Sequence, residues 1–163
     1  MRWPIISREV RQLLCILAIA MALAADSAFA ASGSVIKVLP EYLDLKGRNA
    51  LSPSLYERDV YQVALREHPE RRSAIRFYIQ WKNRKPVWEP ILARVELRGI
   101  TDGKVPRRYV LERSVENPGG PTSHWTDLTL SGDAYKKFGA VIAWRVTLWE
   151  GQTLIGQEQS FLW

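Results

Sequence analysis

From Ser73 onward, apolar and polar residues alternate along most of the sequence. Successive side chains of an extended strand point to opposite faces, so a period of two places alternate residues on one face of a sheet. Turn-forming residues separate the runs, and no spacing suits a helix between parallel strands. The sequence therefore predicts an all-β, antiparallel fold, either a sandwich or a small barrel. The predicted inward positions are Ile75, Phe77, Ile79 and Trp81; Ile91, Ala93, Val95 and Leu97; Leu128 and Leu130; and Ile142, Trp144, Val146 and Leu148.

The dipeptide Glu150-Gly151 separates the last two runs and predicts a tight hairpin with Gly151 at a positive φ. The final strand is predicted to continue the alternation from Ile155 to Trp163. The first strand is predicted over Val35–Leu45.

Residues 52–67 do not follow the alternation. Ser52 fits a helix N-cap and Pro53 the first helical position, and His68-Pro69 would end the helix. A strand through Val60–Leu65 is the alternative, but we expect a helix. The fold class is therefore an antiparallel sandwich with one short N-terminal helix. The apolar stripe of this helix is Tyr56, Val60, Val63 and Ala64.

Residues 1–30 are typical of a secretory signal peptide. A basic start is followed by an apolar run over Leu13–Ala25 and by Ala28-Phe29-Ala30, which fits a cleavage site. The run is shorter than the roughly 20 residues of a membrane span, and an uncleaved anchor is the alternative. We expect export to the periplasm or the medium after cleavage near Ala30. Residues 31–163 then form a single domain with no transmembrane segment.

The chain contains one cysteine, Cys15, which lies in this leader, so the mature chain has no disulfide and depends on its packed core. Of 23 basic and 17 acidic residues, three and two lie in the leader, which leaves a net charge of +5. A basic exported protein can meet anionic lipid headgroups, polysaccharide or nucleic acid outside the cytoplasm. The charges do not interleave with aromatic residues as in a single-strand nucleic-acid groove, so no specific nucleic-acid partner is expected.

Residues that carry catalysis are scarce. The two histidines, His68 and His124, are far apart and without a G-x-S-x-G elbow, an H-E-x-x-H helix or a P-loop. We therefore expect no enzyme, no metal and no cofactor. Two carboxylates on separate strands leave a small glycoside hydrolase as a lesser alternative.

A candidate binding face comes from the aromatic residues. Trp149 points to the opposite side of its strand from Trp144, which is predicted to lie in the core. If the strand at 91–97 pairs with the strand at 142–149, its outward charged side chains join Trp149. The candidate binding residues are Trp149, Arg145, Arg94, Glu96 and Arg98.

Two interpretations of this face remain open. One is a charge ladder in which Glu96 pairs with Arg94 or Arg145 and Trp149 covers their aliphatic stems. The other is a platform that receives a sugar, a peptide or an acidic partner. Two further basic clusters, at 82–85 and 104–108, are interpreted as solvated loop charge.

Residues 73–163 resemble an immunoglobulin-like or fibronectin type III-like sandwich in strand order, central tryptophan and final hairpin. The immunoglobulin cysteine pair is missing, and the resemblance implies for Tyr135 a role like that of the tyrosine corner. The chain also resembles small uncharacterised exported bacterial proteins, which implies no activity. We expect an exported, non-enzymatic module that binds a protein or polysaccharide or associates with the envelope. A carbohydrate-binding module using surface aromatics is the alternative.

Overall fold

The structure, a computed structural model, describes residues 33–87, 89–101, 103–116 and 121–163. The predicted signal segment lies outside the described residues, as does Trp88. The strands are β1 (Gly33–Asp44), β2 (Arg72–Asn83), β3 (Ile91–Ile100), β4 (Pro106–Val115), β5 (Ser123–Ser131), β6 (Ala140–Glu150) and β7 (Thr153–Gln159). The helices are α1 (Leu55–Glu67), a short 3-10 helix (Pro69–Arg71) and α2 (Gly132–Phe138).

The strands form two antiparallel sheets, in the orders β1-β2-β5 and β4-β3-β6-β7. The predicted mostly β fold with antiparallel sheets is therefore confirmed. None of the helices in the described residues has the length and hydropathy that a membrane-spanning helix requires.

The core lies between the two sheets and follows the predicted alternation. On β2 the side chains of Ile75, Phe77, Ile79 and Trp81 are fully or almost fully buried. The indole N–H of Trp81 donates to Thr126 Oγ1 at 3.0 Å, so its polar atom is satisfied inside the core. Full burial of an isoleucine or phenylalanine side chain stabilises a fold by roughly 1.5–3 kcal/mol. The opposite sheet contributes Ile91, Ala93, Val95, Leu97, Val146, Leu148 and Ile155 to the same core cluster.

The predicted burial of Ile142 is wrong. The register of β3 and β6 shifts here: Arg98 pairs with Ala143 but Gly99 pairs with Val141, so Ile142 is the extra residue of a bulge. Its side chain is 43% exposed. The alternation resumes at Trp144, whose ring meets Phe77 edge-on with 6.4 Å between centroids.

The last hairpin has the predicted positive φ, 55°, at Gly151, although its turn is Gly151-Gln152 rather than Glu150-Gly151. The prediction of a strand to Trp163 is wrong, because β7 ends at Gln159 and the chain then turns. Phe161 is fully exposed in this turn.

The expected helix within residues 52–67 is present, but its description as N-terminal, and as the one helix of the fold, is not supported. Both α-helices follow β1, and α2 lies where no helix was expected. Helix α1 falls within residues 52–67 but begins at Leu55 with Ser54 as N-cap, whose hydroxyl accepts from the Glu57 N–H at 3.4 Å. Ser52 is not the cap because its hydroxyl accepts from the Ser54 N–H at 3.1 Å, which forms a turn before the helix.

The apolar stripe of α1 faces away from the body of the protein: Tyr56, Val60 and Val63 are exposed. The free edge of β1 explains this orientation, because its polar groups need partners when buried. Gln62 supplies them, since its amide nitrogen donates to the Tyr42 carbonyl at 2.9 Å and its oxygen accepts from the Tyr42 N–H at 2.8 Å.

Asp44, at the end of β1, is hydrogen-bonded both to the loop before α1 and to α1 itself. Its carboxylate accepts from the backbone N–H groups of Lys46 and Arg48, both at 2.8 Å. It also accepts from the Arg48 guanidinium at 2.9 Å and from the Tyr61 hydroxyl at 2.7 Å. Burial, the largest single influence, raises the Asp44 pKa, but these hydrogen bonds together outweigh it and hold the pKa far below its usual range.

We expect Gly99→Ala to lower the free energy of unfolding by about 1–3 kcal/mol. A Cβ at residue 99 would lie 2.5 Å from the Phe138 ring and 2.8 Å from the Ala140 carbonyl oxygen. Denaturant unfolding measures the change. Gly103→Ala is the matched control, because the nearest atom to its Cβ, Thr101 Oγ1, is 3.8 Å away. Equal stability of the two variants would contradict the close packing at Gly99.

We expect Asp44→Asn to weaken the acid sensitivity of the fold. The Asp44 pKa is lower in the folded chain than in the unfolded chain, so its contribution is present above about pH 4 and is lost as pH falls further. Urea unfolding from pH 7 to pH 2 should therefore show a smaller loss of stability in the variant than in wild type. Glu158→Gln, an exposed change on β7, should keep the wild-type profile. An unchanged slope in Asp44→Asn would contradict the assignment.

Candidate functional site

The pairing of β3 with β6 places the predicted binding residues on one face. Side chains directly opposite each other on antiparallel strands point to the same side. Glu96 is opposite Arg145, and the neighbouring outward pairs are Leu92 with Trp149 and Arg98 with Ala143. We call this surface of strands β3, β4 and β6 the outer face; its polar and aromatic residues are Arg94, Glu96, Arg98, Arg108, Glu112, Ser114, Arg145, Thr147 and Trp149.

Two ion pairs cross the outer face. The Arg145 guanidinium binds Glu96 through Nε and Nη2, each 2.6 Å from the same carboxylate oxygen. Arg94 donates from Nε to Glu112 Oε1 at 2.7 Å. Of the two partners that the sequence left open for Glu96, the structure selects Arg145, and β4 supplies the partner of Arg94.

Trp149 is half-buried beside these pairs. Its indole N–H donates to Thr147 Oγ1 on the same strand at 2.9 Å. The Arg94 guanidinium carbon lies 5.8 Å from the centre of the ring, near the outer limit of a cation–π contact. The five predicted residues therefore form one charged surface, with Trp149 at the Arg94 end.

The chain after β7 adds a residue that sequence reasoning missed. Ser160 holds this segment to β6: its N–H donates to the Trp144 carbonyl at 2.9 Å, and its hydroxyl accepts from the Trp144 N–H at 3.0 Å. The turn that follows places Trp163 over the outer face. The guanidinium carbons of Arg98 and Arg145 lie 4.0 Å and 4.8 Å from the centre of the Trp163 ring.

Arg98 and Arg108 stand directly opposite each other on β3 and β4. Like charges in this position destabilise a sheet. Among the described residues, no acidic group lies within 4 Å of either guanidinium. The two arginines line a cleft of about 120 Å³ together with Glu96, Leu97, Tyr109, Val110, Arg145 and Trp163. Sequence reasoning had placed Arg108 in a separate loop cluster.

Each of the two histidines contacts neighbouring side chains. The His124 ring lies against Trp81 with 4.6 Å between centroids, and its Nε2 is 2.9 Å from Thr122 Oγ1. His68 Nδ1 is 3.1 Å from a Glu70 carboxylate oxygen at the end of α1. The part of the chain that the structure describes contains no group of three or more metal-ligating side chains.

Tyr135, to which the resemblance gave a tyrosine-corner role, lies on α2 in the connection between β5 and β6. Burial raises its pKa, and the nearby Arg72 charge acts in the opposite direction. Tyr135 packs against the edge of the core cluster.

The chain matches no protein-family model, no curated protein and no solved structure in the comparisons made with each. The outer face is therefore interpreted from its own geometry.

We expect the Glu96–Arg145 pair to be coupled by about 1 kcal/mol and the Arg94–Glu112 pair by less. Both side chains of the first pair are about one-third exposed or less, whereas the second pair is more exposed. Two double-mutant cycles with alanine, read by denaturant unfolding, measure the couplings. A larger coupling for Arg94–Glu112 would contradict this ranking.

Proposed function

We propose that the protein is an exported, non-enzymatic binding module whose outer face binds a ligand that carries carboxylate or sulfate groups. The observation that carries the proposal is the Arg98–Arg108 pair, two arginines directly opposite each other that line one cleft and have no acidic partner among the described residues. An anion between them would remove their repulsion. It would also receive charge-assisted hydrogen bonds in the fork geometry that arginine provides.

The contacts around the cleft support this proposal. Trp163 lies against Arg98 at 4.0 Å, which limits the freedom of the guanidinium before a ligand arrives. A side chain ordered in advance loses less entropy on binding. Arg145 also approaches Trp163, but its charge is already compensated by Glu96. We therefore expect Arg98 and Arg108, rather than Arg145, to bind the anion.

An anionic polysaccharide is the ligand that best fits the proposed location. If residues 1–30 direct export, the mature chain, with a net charge of +5, works where acidic polysaccharides occur. A sheet face also suits an extended polymer, since the cleft is lined from three neighbouring strands. An acidic protein is the competing partner and is included in the experiment below.

A second candidate is a module that binds neutral carbohydrate through aromatic side chains. Trp125 favours it, because its side chain on β5 is 55% exposed on the smaller sheet. Its register partner is Gln80, so the tryptophan points away from the core.

The strand order supports an immunoglobulin-like or fibronectin type III-like assignment. As in those folds, the second strand pairs with the fifth, and the third with the sixth. The fourth strand lies beside the third, whereas it lies beside the fifth in an immunoglobulin constant domain. The fibronectin type III-like form is therefore the closer likeness, and such a fold by itself implies no particular function.

Binding to three dextrans with the same sugar backbone tests the proposed ligand. We expect wild type to bind sulfated and carboxymethylated dextran and not unmodified dextran. Arg98→Gln/Arg108→Gln should weaken binding to both charged polymers by about tenfold or more, because charge-assisted hydrogen bonds are lost. Isothermal calorimetry at fixed ionic strength measures the affinities.

The control is Lys104→Gln/Arg107→Gln, which also removes two positive charges, but from exposed positions outside the cleft. Equal weakening by both double variants would contradict a specific site and indicate general charge attraction. Binding to unmodified dextran as strong as to the charged polymers would favour the aromatic candidate. Stronger binding to poly-glutamate than to either polymer would identify an acidic protein as the partner.

A further inference from the structure

Helix α1 contacts the rest of the protein mainly through polar groups. Gln62 is buried and hydrogen-bonds to the Tyr42 backbone and to the Asn49 carbonyl, the latter at 2.8 Å. Tyr61 donates to Asp44, and Leu65 is the one fully buried apolar side chain of the helix. These contacts fix which side of α1 faces the solvent.

An apolar strip runs along about two turns of the solvent side of α1. Tyr56 is 78% exposed and Val60 is 52% exposed, and Val63 follows on the same stripe. Leu51, from the preceding loop, lines a groove of about 330 Å³ together with Tyr56 and Val60. A contiguous apolar strip of this kind on a polar surface marks an interaction site.

The charged residues beside the strip indicate what covers it. Asp59 and Arg66 are seven residues apart, so they lie two turns apart on the same flank of the helix, and both are exposed. A two-fold axis near Val63 would bring Asp59 of one helix against Arg66 of the other, and would form this pair twice. The same symmetry brings the two copies of Val63 close to each other and places Val60 of each copy beside Arg66 of the other, whereas Tyr56 lies beyond the end of the partner's α1, at Pro69.

We propose that two copies of this chain associate through antiparallel packing of their α1 helices. A lipid surface fits less well, because the exposed side of α1 also carries Glu57, Asp59 and Glu67, which anionic headgroups would repel. The interface is separate from the outer face, so it neither requires nor excludes the proposed anion site.

Sedimentation velocity over a dilution series, with the protein recovered from the exported fraction, tests this dimer. Wild type should dissociate from dimer to monomer on dilution. Val60→Glu should raise the dissociation constant by about tenfold or more, because it places a charge in the apolar contact. Val105→Glu is the control, since Val105 is 49% exposed and lies before β4, away from α1.

A charge swap tests the antiparallel register and does not depend on the folding of Val60→Glu. Asp59→Arg and Arg66→Asp should each weaken the dimer, and the double variant should restore it. Wild type that is monomeric at every concentration would overturn the proposal, as would equal association of Val60→Glu and wild type. Failure of the double variant to recover would overturn the proposed pairing. Binding of the monomer to anionic vesicles, lost in Val60→Glu, would assign the strip to a membrane instead.

Discussion

The rest of the structure depends on one interaction, the burial of every second side chain of β2 and β3 in the apolar core. Phe77 and Trp81 on one sheet and Val95 and Leu97 on the other are almost completely inaccessible. Their burial determines which side of each strand faces outward. Because strand periodicity is two, the residues between the buried positions of β3 must then share the opposite surface. The charged outer face is thus a direct consequence of the apolar core.

The strands were predictable because this alternation is local and strong. At Ile142, where the predicted burial failed, a non-local contact decided the outcome. Ile142 is exposed because β6 carries a bulge opposite Arg98 and Gly99, and a bulge depends on the partner strand. Consecutive apolar residues at 161–163 break the period of two, a signal in the sequence that the last strand ends before them.

Helix α1 shows a different limit. A surface helix usually packs its apolar stripe against the core, but here the edge of β1 presents buried polar groups that Gln62 and Tyr61 satisfy. An unsatisfied buried polar group costs about 1–3 kcal/mol. Burial of a half-exposed valine gains less than this. The polar contacts therefore determine the orientation of the helix, and no pattern within the helix sequence reveals the needs of β1.

The candidate site was predictable to the extent that it depends on one strand pair. Assuming that β3 pairs with β6 was enough to bring Arg94, Glu96 and Arg98 together with Arg145 and Trp149. Arg108 and Trp163 were missed because the first needs the register of β4 and the second needs the turn at Ser160. These two residues change the interpretation of the face. With them, the face is a cleft that contains two arginines without an acidic partner among the described residues, rather than only a ladder of compensated charges.

The central claim is that Arg98 and Arg108 together receive an anion. The most direct measurement is an NMR titration of the arginine Nε–Hε signals with a sulfated dextran oligosaccharide. The signals of Arg98 and Arg108 should shift at the lowest ligand concentrations, whereas that of Arg113, which is paired with Asp127, should not. Shifts of the same size at all three arginines, or at none of them, would contradict the claim.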